Sequence, residues 1–146
     1  MKNILAAVDF SDVSDKVVAQ AATLAGAFEA SVYLLHIAEP DPDFVGYDAG
    51  PQVARDAVAE RFRDSHRQLQ ELADKLRSDG IDAHALLIQG PFIEKIVSEA
   101  ERLGSDLIIT GAHNKGLVSR VLLGSVSEGL LREARIPVLV VPATES

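Results

Sequence analysis

Apolar positions along the chain fall into two alternating kinds of segment. Short runs rich in leucine or β-branched residues occur at 3–8, 31–37, 83–88, 106–110 and 137–141. Their apolar character is nearly continuous, the pattern of strands buried on both faces of a parallel sheet. Between them, apolar residues recur at helical spacing. Ser11 or Ser14 offers a cap for a helix reaching about residue 28, with Val17, Val18, Ala21, Leu24, Ala25 and Phe28 on one face. A long second helix is expected over about 52–78, turning Val58, Phe62, Leu69, Leu72, Ala73 and Leu76 inward, and Asp79-Gly80 ends it. Pro91 suits the first turn of a third helix, which carries Ile93, Ile96, Val97 and Ala100 to Leu103 before Gly104. The last helix is expected over about 125–134, with Val126, Leu130 and Leu131.

Strand and helix thus alternate from end to end, and right-handed crossovers convert that order into a doubly wound α/β fold. The expectation is an open sheet of five mainly parallel strands in the order 3-2-1-4-5, with four helices. Ligands on such sheets bind beyond the carboxyl ends of the strands, at the switch point where the winding reverses. The irregular stretch 39–51, with Pro40, Pro42 and Pro51 among Asp41, Asp43 and Asp48, reads as a lid or an insertion. The chain shows no internal repeat, and its 146 residues suit one domain over 1–146.

Composition narrows the chemistry. An apolar fraction of 47% and a charged fraction of 25% belong to an ordinary globular protein. Absence of cysteine excludes disulfides, thiolate catalysis and cysteine-based metal sites. Fourteen Lys and Arg against 22 Asp and Glu give a net charge of −8, which disfavours nucleic acid or an anionic membrane as partner. The apolar run before Asp9 is too short for a secretory signal, and no stretch approaches the ~18 apolar residues of a membrane span. A cytoplasmic protein is expected.

The segment 108–127 is the exception to the acidic background. It leaves the fourth strand at Thr110-Gly111, contains no Asp or Glu, carries His113, Lys115 and Arg120, and ends at Gly124-Ser125-Val126-Ser127 where the last helix begins. Glycines there let backbone N–H groups approach a phosphate, and a helix N-terminus adds partial positive charge. Better-known phosphate loops are excluded. Leu117-Val118 stands where a Walker A loop needs Lys and Ser or Thr, and Asp9-Phe10-Ser11 replaces a G-x-G-x-x-G after the first strand. No G-x-S-x-G elbow surrounds Ser125, which argues against a hydrolase nucleophile.

The segment resembles the nucleotide-binding signature of universal stress proteins: Gly, two residues, Gly, nine residues, then Gly-Ser or Gly-Thr. Gly111, Gly124 and Ser125 match, with the nine-residue spacer 115–123. Asn114 replaces the second glycine and is able to take the same left-handed turn. The resemblance extends to the opening residues 4–11, to Leu34-Leu35-His36-Ile37 and to the terminal 136–141. It implies an adenine nucleotide, ATP or AMP, with Asp9 near ribose, phosphates and a metal such as Mg²⁺. It places the Ile37 backbone at the adenine, with further contacts at Thr110 and Val126. The candidate binding residues are therefore Ala7, Val8, Asp9, Ile37, Thr110, Gly111, His113, Asn114, Arg120, Gly124, Ser125, Val126 and Ser127, with no catalytic residue. A homodimer through the C-terminal strand is also implied.

Plainer readings stand beside these. Asp9 suits a turn or helix-capping carboxylate, His36 a hydrogen-bonded core histidine, and His66 and His84 structural or surface positions. Lys115 and Arg120 either pair phosphates or line a solvated face. Glu128 and Glu133 are expected in solvent. A stress-response binding or regulatory module is favoured over a slow adenine-nucleotide hydrolase, since nothing beyond Asp9 assembles a water-orienting constellation. A nucleotide-free interaction module is the third reading, kept open by Asn114.

Overall fold

A computed structural model describes residues 1–38, 51–112 and 125–142. Its elements alternate as β1 Asn3–Ala7, α1 Asp12–Phe28, β2 Ser31–Ala38, α2 Pro51–Ser78, β3 Ala83–Gln89, α3 Phe92–Arg102, β4 Leu107–Gly111, α4 Ser125–Glu133 and β5 Val138–Val141. The strands make one sheet in the order β3-β2-β1-β4-β5, and every adjacent pair is parallel. This is the expected order, and each strand stands within one residue of its expected bounds. Most of the stretch 39–51 lies outside the described residues; Pro51 itself opens α2.

Alternation along β1 divides the core in two. Ile4, Ala6 and Val8 join Val17 and Ala21 of α1 and Leu69 and Ala73 of α2 on one face. Leu5 and Ala7 join Ile96 and Ala100 of α3 and Leu130 of α4 on the other. Helices cover both faces of the centre, so β1 is buried throughout Ile4–Ala7, and each such Leu or Ile contributes about 1.5–3 kcal/mol. Among the described residues no helix is long and apolar enough to cross a membrane.

Three residues expected inward lie outward. Phe28 is 52% exposed because α1, 17 residues and roughly 26 Å long, overhangs the five-residue β1 beneath it. Phe62 is exposed for the same reason: α2 has 28 residues, and among its described side chains burial falls at Leu69, Ala73 and Leu76 in the second half. The Val58 side chain lies outside the described residues. In α4, Leu130 faces the sheet, and its neighbour Leu131, turned about 100° around the axis, is left 46% exposed. Glu128 and Glu133 are exposed, as expected.

Candidate functional site

The winding reverses between β1 and β4, and a cleft of about 160 Å³ opens at their carboxyl ends. Ala7, Val8 and Asp9 line it from the end of β1, Thr110 and Gly111 from the end of β4, Val13, Ser14 and Val17 from α1, and Phe92 from the start of α3. Five of the candidate residues therefore share one cleft. Ile37 sits one strand away at the end of β2, buried, and does not line it. His113, Asn114, Arg120 and Gly124 lie outside the described residues, as do Lys115 and the side chains of Ser125 and Val126.

Asp9 organises the turn into α1. Its Oδ1 accepts from Ser11 N–H at 3.0 Å, from the Ser11 hydroxyl at 2.6 Å and from the Ser14 hydroxyl at 2.8 Å, and its own N–H donates back to Ser14 Oγ at 3.0 Å. The expected serine cap is thus replaced. Ser11 occupies the N-cap position but makes no side-chain bond into the helix, because both hydroxyls turn to the carboxylate. The turn-carboxylate reading of Asp9 and its place on the cleft hold together. Among the described residues no three His, Asp or Glu side chains gather as metal ligands.

Gly111 is a glycine for a reason the loop pattern does not disclose. A Cβ there would lie 2.6 and 2.9 Å from the two Val13 methyl carbons, so the missing side chain admits α1 against β4. Thr110 beside it is buried.

Because α4 leads into β5, which runs parallel to β4, its N-terminal turn stands at the carboxyl edge of the sheet. Ser127 lies in that turn. Its residue surface is 0% exposed, and its Oγ has no hydrogen-bond partner among the described residues. A buried hydroxyl left unpaired costs about 1–3 kcal/mol.

The histidines separate clearly. Half-buried His36 places Nδ1 2.7 Å from Val8 O and its ring 4.6 Å from Phe10. His84 stacks on Tyr33 at 5.0 Å and lies 3.2 Å from Asp82, at the opposite end of the sheet. His66 is exposed beside Gln70. Sequence reasoning did not assign Val13, Ser14, Val17 and Phe92 to the cleft. A serine five residues beyond Asp9, and an aromatic residue directly after Gly90-Pro91, were the available signals.

Residues 1–142 match the family model described as the Universal stress protein family. The chain is 32% identical over 141 residues to Universal stress protein MJ0531 of Methanocaldococcus jannaschii, covering 96% of this chain and 81% of that one. It is 32% identical over 146 residues to a Thermus aquaticus universal stress protein, covering 96% and 98%. Its fold superposes on the structure of protein MJ0577 of Methanocaldococcus jannaschii with a TM-score of 0.80 and 26% identity, covering 99% and 98% of the two chains.

Proposed function

The chain belongs to the universal stress protein family, and from that premise we propose that it binds an adenine nucleotide, ATP or AMP, across the carboxyl ends of β1 and β4. The observation that carries the reading is the cleft at the switch point, where Asp9 after β1 faces Thr110 and Gly111 at the end of β4. The Ser127 hydroxyl in the first turn of α4, without a partner among the described residues, would donate to a phosphate that displaced what covers it, with the helix N-terminus adding its field. Gly124 and Ser125 present the backbone, and His113, Asn114 and Arg120 flank the phosphates. Ala7, Val8, Thr110, Ile37 and Val126 hold base and ribose.

Asp9 fits a magnesium ion only in the way that ion usually binds, through one carboxylate with water and phosphate completing its shell. Mg²⁺ held there would neutralise phosphate charge. The Oδ1 of Asp9 already accepts three hydrogen bonds, which suits a scaffold more than a group that orients attacking water. The protein accordingly acts as a cytoplasmic stress-response module whose bound nucleotide shifts conformation or partner choice through differential affinity. At most it hydrolyses ATP slowly. β5 is an edge strand with Val138, Leu139 and Val140 half-buried, the surface through which two copies would pair. Asn114, in place of a loop glycine, favours a nucleotide-free module as the second reading.

Native mass spectrometry of freshly purified protein, followed by extraction of bound small molecules, separates these readings. Adenine nucleotide is expected. Gly124→Asp sets a carboxylate against phosphate, and at least about a 100-fold loss of ATP affinity by calorimetry is expected with the fold retained. Unchanged affinity in that variant, or no binding by the parent, would refute the site.

A further inference from the structure

The odd-numbered residues of β2 direct their peptide groups toward β1. Ser31 N–H donates to Lys2 O at 2.8 Å, and Leu35 O accepts from Val8 N–H at 2.8 Å. By that alternation the Ile37 peptide faces the chain just past β1, where a continued ladder would bond its N–H to the Val8 carbonyl. The paired register stops at Ala7 and Leu35. The Val8 carbonyl instead lies 2.7 Å from His36 Nδ1. A carbonyl only accepts, so Nδ1 carries the proton at this contact. Beyond Asp9 the backbone turns away from β2: Phe10 takes φ 63, a left-handed conformation that an aromatic residue adopts only under constraint. Its ring lies against the imidazole, with centroids 4.6 Å apart.

Resting on the nucleotide-binding reading, we propose that His36 is a positioning residue for base selection. By occupying the Val8 carbonyl it keeps the Ile37 N–H from being absorbed into the β1–β2 ladder, while the left-handed turn at Phe10 takes away the N–H that the Ile37 C=O would otherwise meet. The two groups point the same way from one residue, a donor beside an acceptor. That pair complements the adenine edge, where N1 accepts and the N6 amine donates. Hypoxanthine presents the reverse, a donor at N1 and an acceptor at O6, and each reversed contact sets like against like.

Two measurements test this on the intact chain. In amide hydrogen exchange by NMR without ligand, Ile37 N–H should exchange at least about tenfold faster than Leu35 N–H. His36→Leu releases the Val8 carbonyl, and Ile37 should become protected; His36→Asn, whose Nδ2 replaces Nδ1, should keep the parent pattern. His36→Phe, which retains the ring against Phe10 without the donor, serves if the leucine variant unfolds. A protected Ile37 in the parent, or no gain of protection in the donor-free variants, overturns the inference. In calorimetry with ATP and inosine triphosphate, the parent should prefer ATP by about tenfold or more. The donor-free variants should bring that ratio within about threefold, and His36→Asn should preserve it. Equal loss of both nucleotides would make His36 purely structural and also overturn the inference. If the parent binds neither nucleotide, the functional proposal falls by itself, and the exchange experiment still decides what His36 does.

Discussion

The two ends of the sheet treat their polar groups in opposite ways. At the amino end, Asp106 Oδ2 accepts from the backbone N–H groups of Lys2 and Asn3 at 2.7 and 3.0 Å, and Asn3 Nδ2 donates to Leu103 O and Gly104 O. Beside them Ser31 donates its hydroxyl to Asp82 at 2.6 Å, and Asp82 also meets His84. These groups are consumed in tying neighbouring strands and loops together; Ser105 Oγ is the exception, buried without a partner among the described residues. At the carboxyl end the β1–β2 register stops at Ala7, a cleft opens, Phe10 turns left-handed, and the Ser127 hydroxyl is buried without a partner among the described residues. Local incompleteness of this kind is what a ligand is able to complete. The amino end should therefore respond to mutation in stability alone, and the carboxyl end in ligand affinity as well.

The largest effect expected on stability at the carboxyl end tests whether Gly111 serves packing. Gly111→Ala forces a Cβ to within 2.6 Å of a Val13 methyl carbon, and Val13, branched at Cβ and buried, has little room to turn aside. Overpacking of this kind costs about 1–3 kcal/mol. In a Val13→Ala background the same substitution should cost less, with a coupling of about 1 kcal/mol in a urea-denaturation cycle. Strictly additive costs would show that α1 is not the reason for the glycine.

Two serines then sharpen the contrast. Ser127→Ala removes a buried hydroxyl that lacks a partner among the described residues, so the ligand-free protein should be as stable as the parent or up to about 1 kcal/mol more stable. Its ATP affinity should nevertheless fall roughly ten- to a hundredfold, the loss of one hydrogen bond to a charged phosphate. Ser31→Ala should behave in reverse, losing roughly 0.5–1 kcal/mol of stability with affinity unchanged, because its bond to Asp82 is structural and solvent-exposed. If the two variants fell in stability alike and neither changed affinity, the distinction between the two ends would fail.

What was legible in the sequence follows the same division. Near-continuous apolar runs separated by amphipathic stretches fix the parallel sheet, because a strand covered on both faces has no solvent side to mark with polar residues. The overhang of α1 and α2 was not legible, since Phe28 and Phe62 continue the helical period while the sheet beneath them ends; periodicity records which way a residue faces and not whether anything lies opposite. At the site, Asp9 and the Thr110-Gly111 turn were readable from their place after apolar runs. The cleft wall from α1 and Phe92 was not, because it depends on tertiary packing across the sheet. The reason for Gly111 was hidden for the same cause: a glycine that admits a helix and one that admits a phosphate look alike in one dimension. His36 showed itself only as a polar residue on an apolar strand, and its partner, 28 positions away, needed the register of β1 against β2.

The smallest expected effect concerns pH and belongs to the amino end. The backbone N–H groups of Lys2 and then Asn3 hold the Asp106 carboxyl below its ordinary value of 3.8, and hydrogen bonds from Ser31 and then His84 do the same for Asp82. A carboxylate with a depressed value in the folded state binds fewer protons there than in the unfolded chain as pH falls. Its contribution is therefore fully present above the unfolded value and lost as pH drops through the lower, folded one. Stability should be level near neutrality and decline below about pH 4. Asp106→Asn keeps an acceptor for the two N–H groups but removes the charge, so it should be slightly less stable than the parent at pH 7 and converge with it as the pH falls through the lowered, folded value. Both groups are solvent-exposed, which keeps the effect small. Urea denaturation of parent and variant across that range measures the convergence, and an equal gap at every pH would show that the charge takes no part. ATP affinity at pH 7 should be the same in both proteins, since the group lies at the end of the sheet away from the cleft; a loss there would mean that the two ends are energetically coupled through β1 and β4 and that the comparison is drawn too sharply.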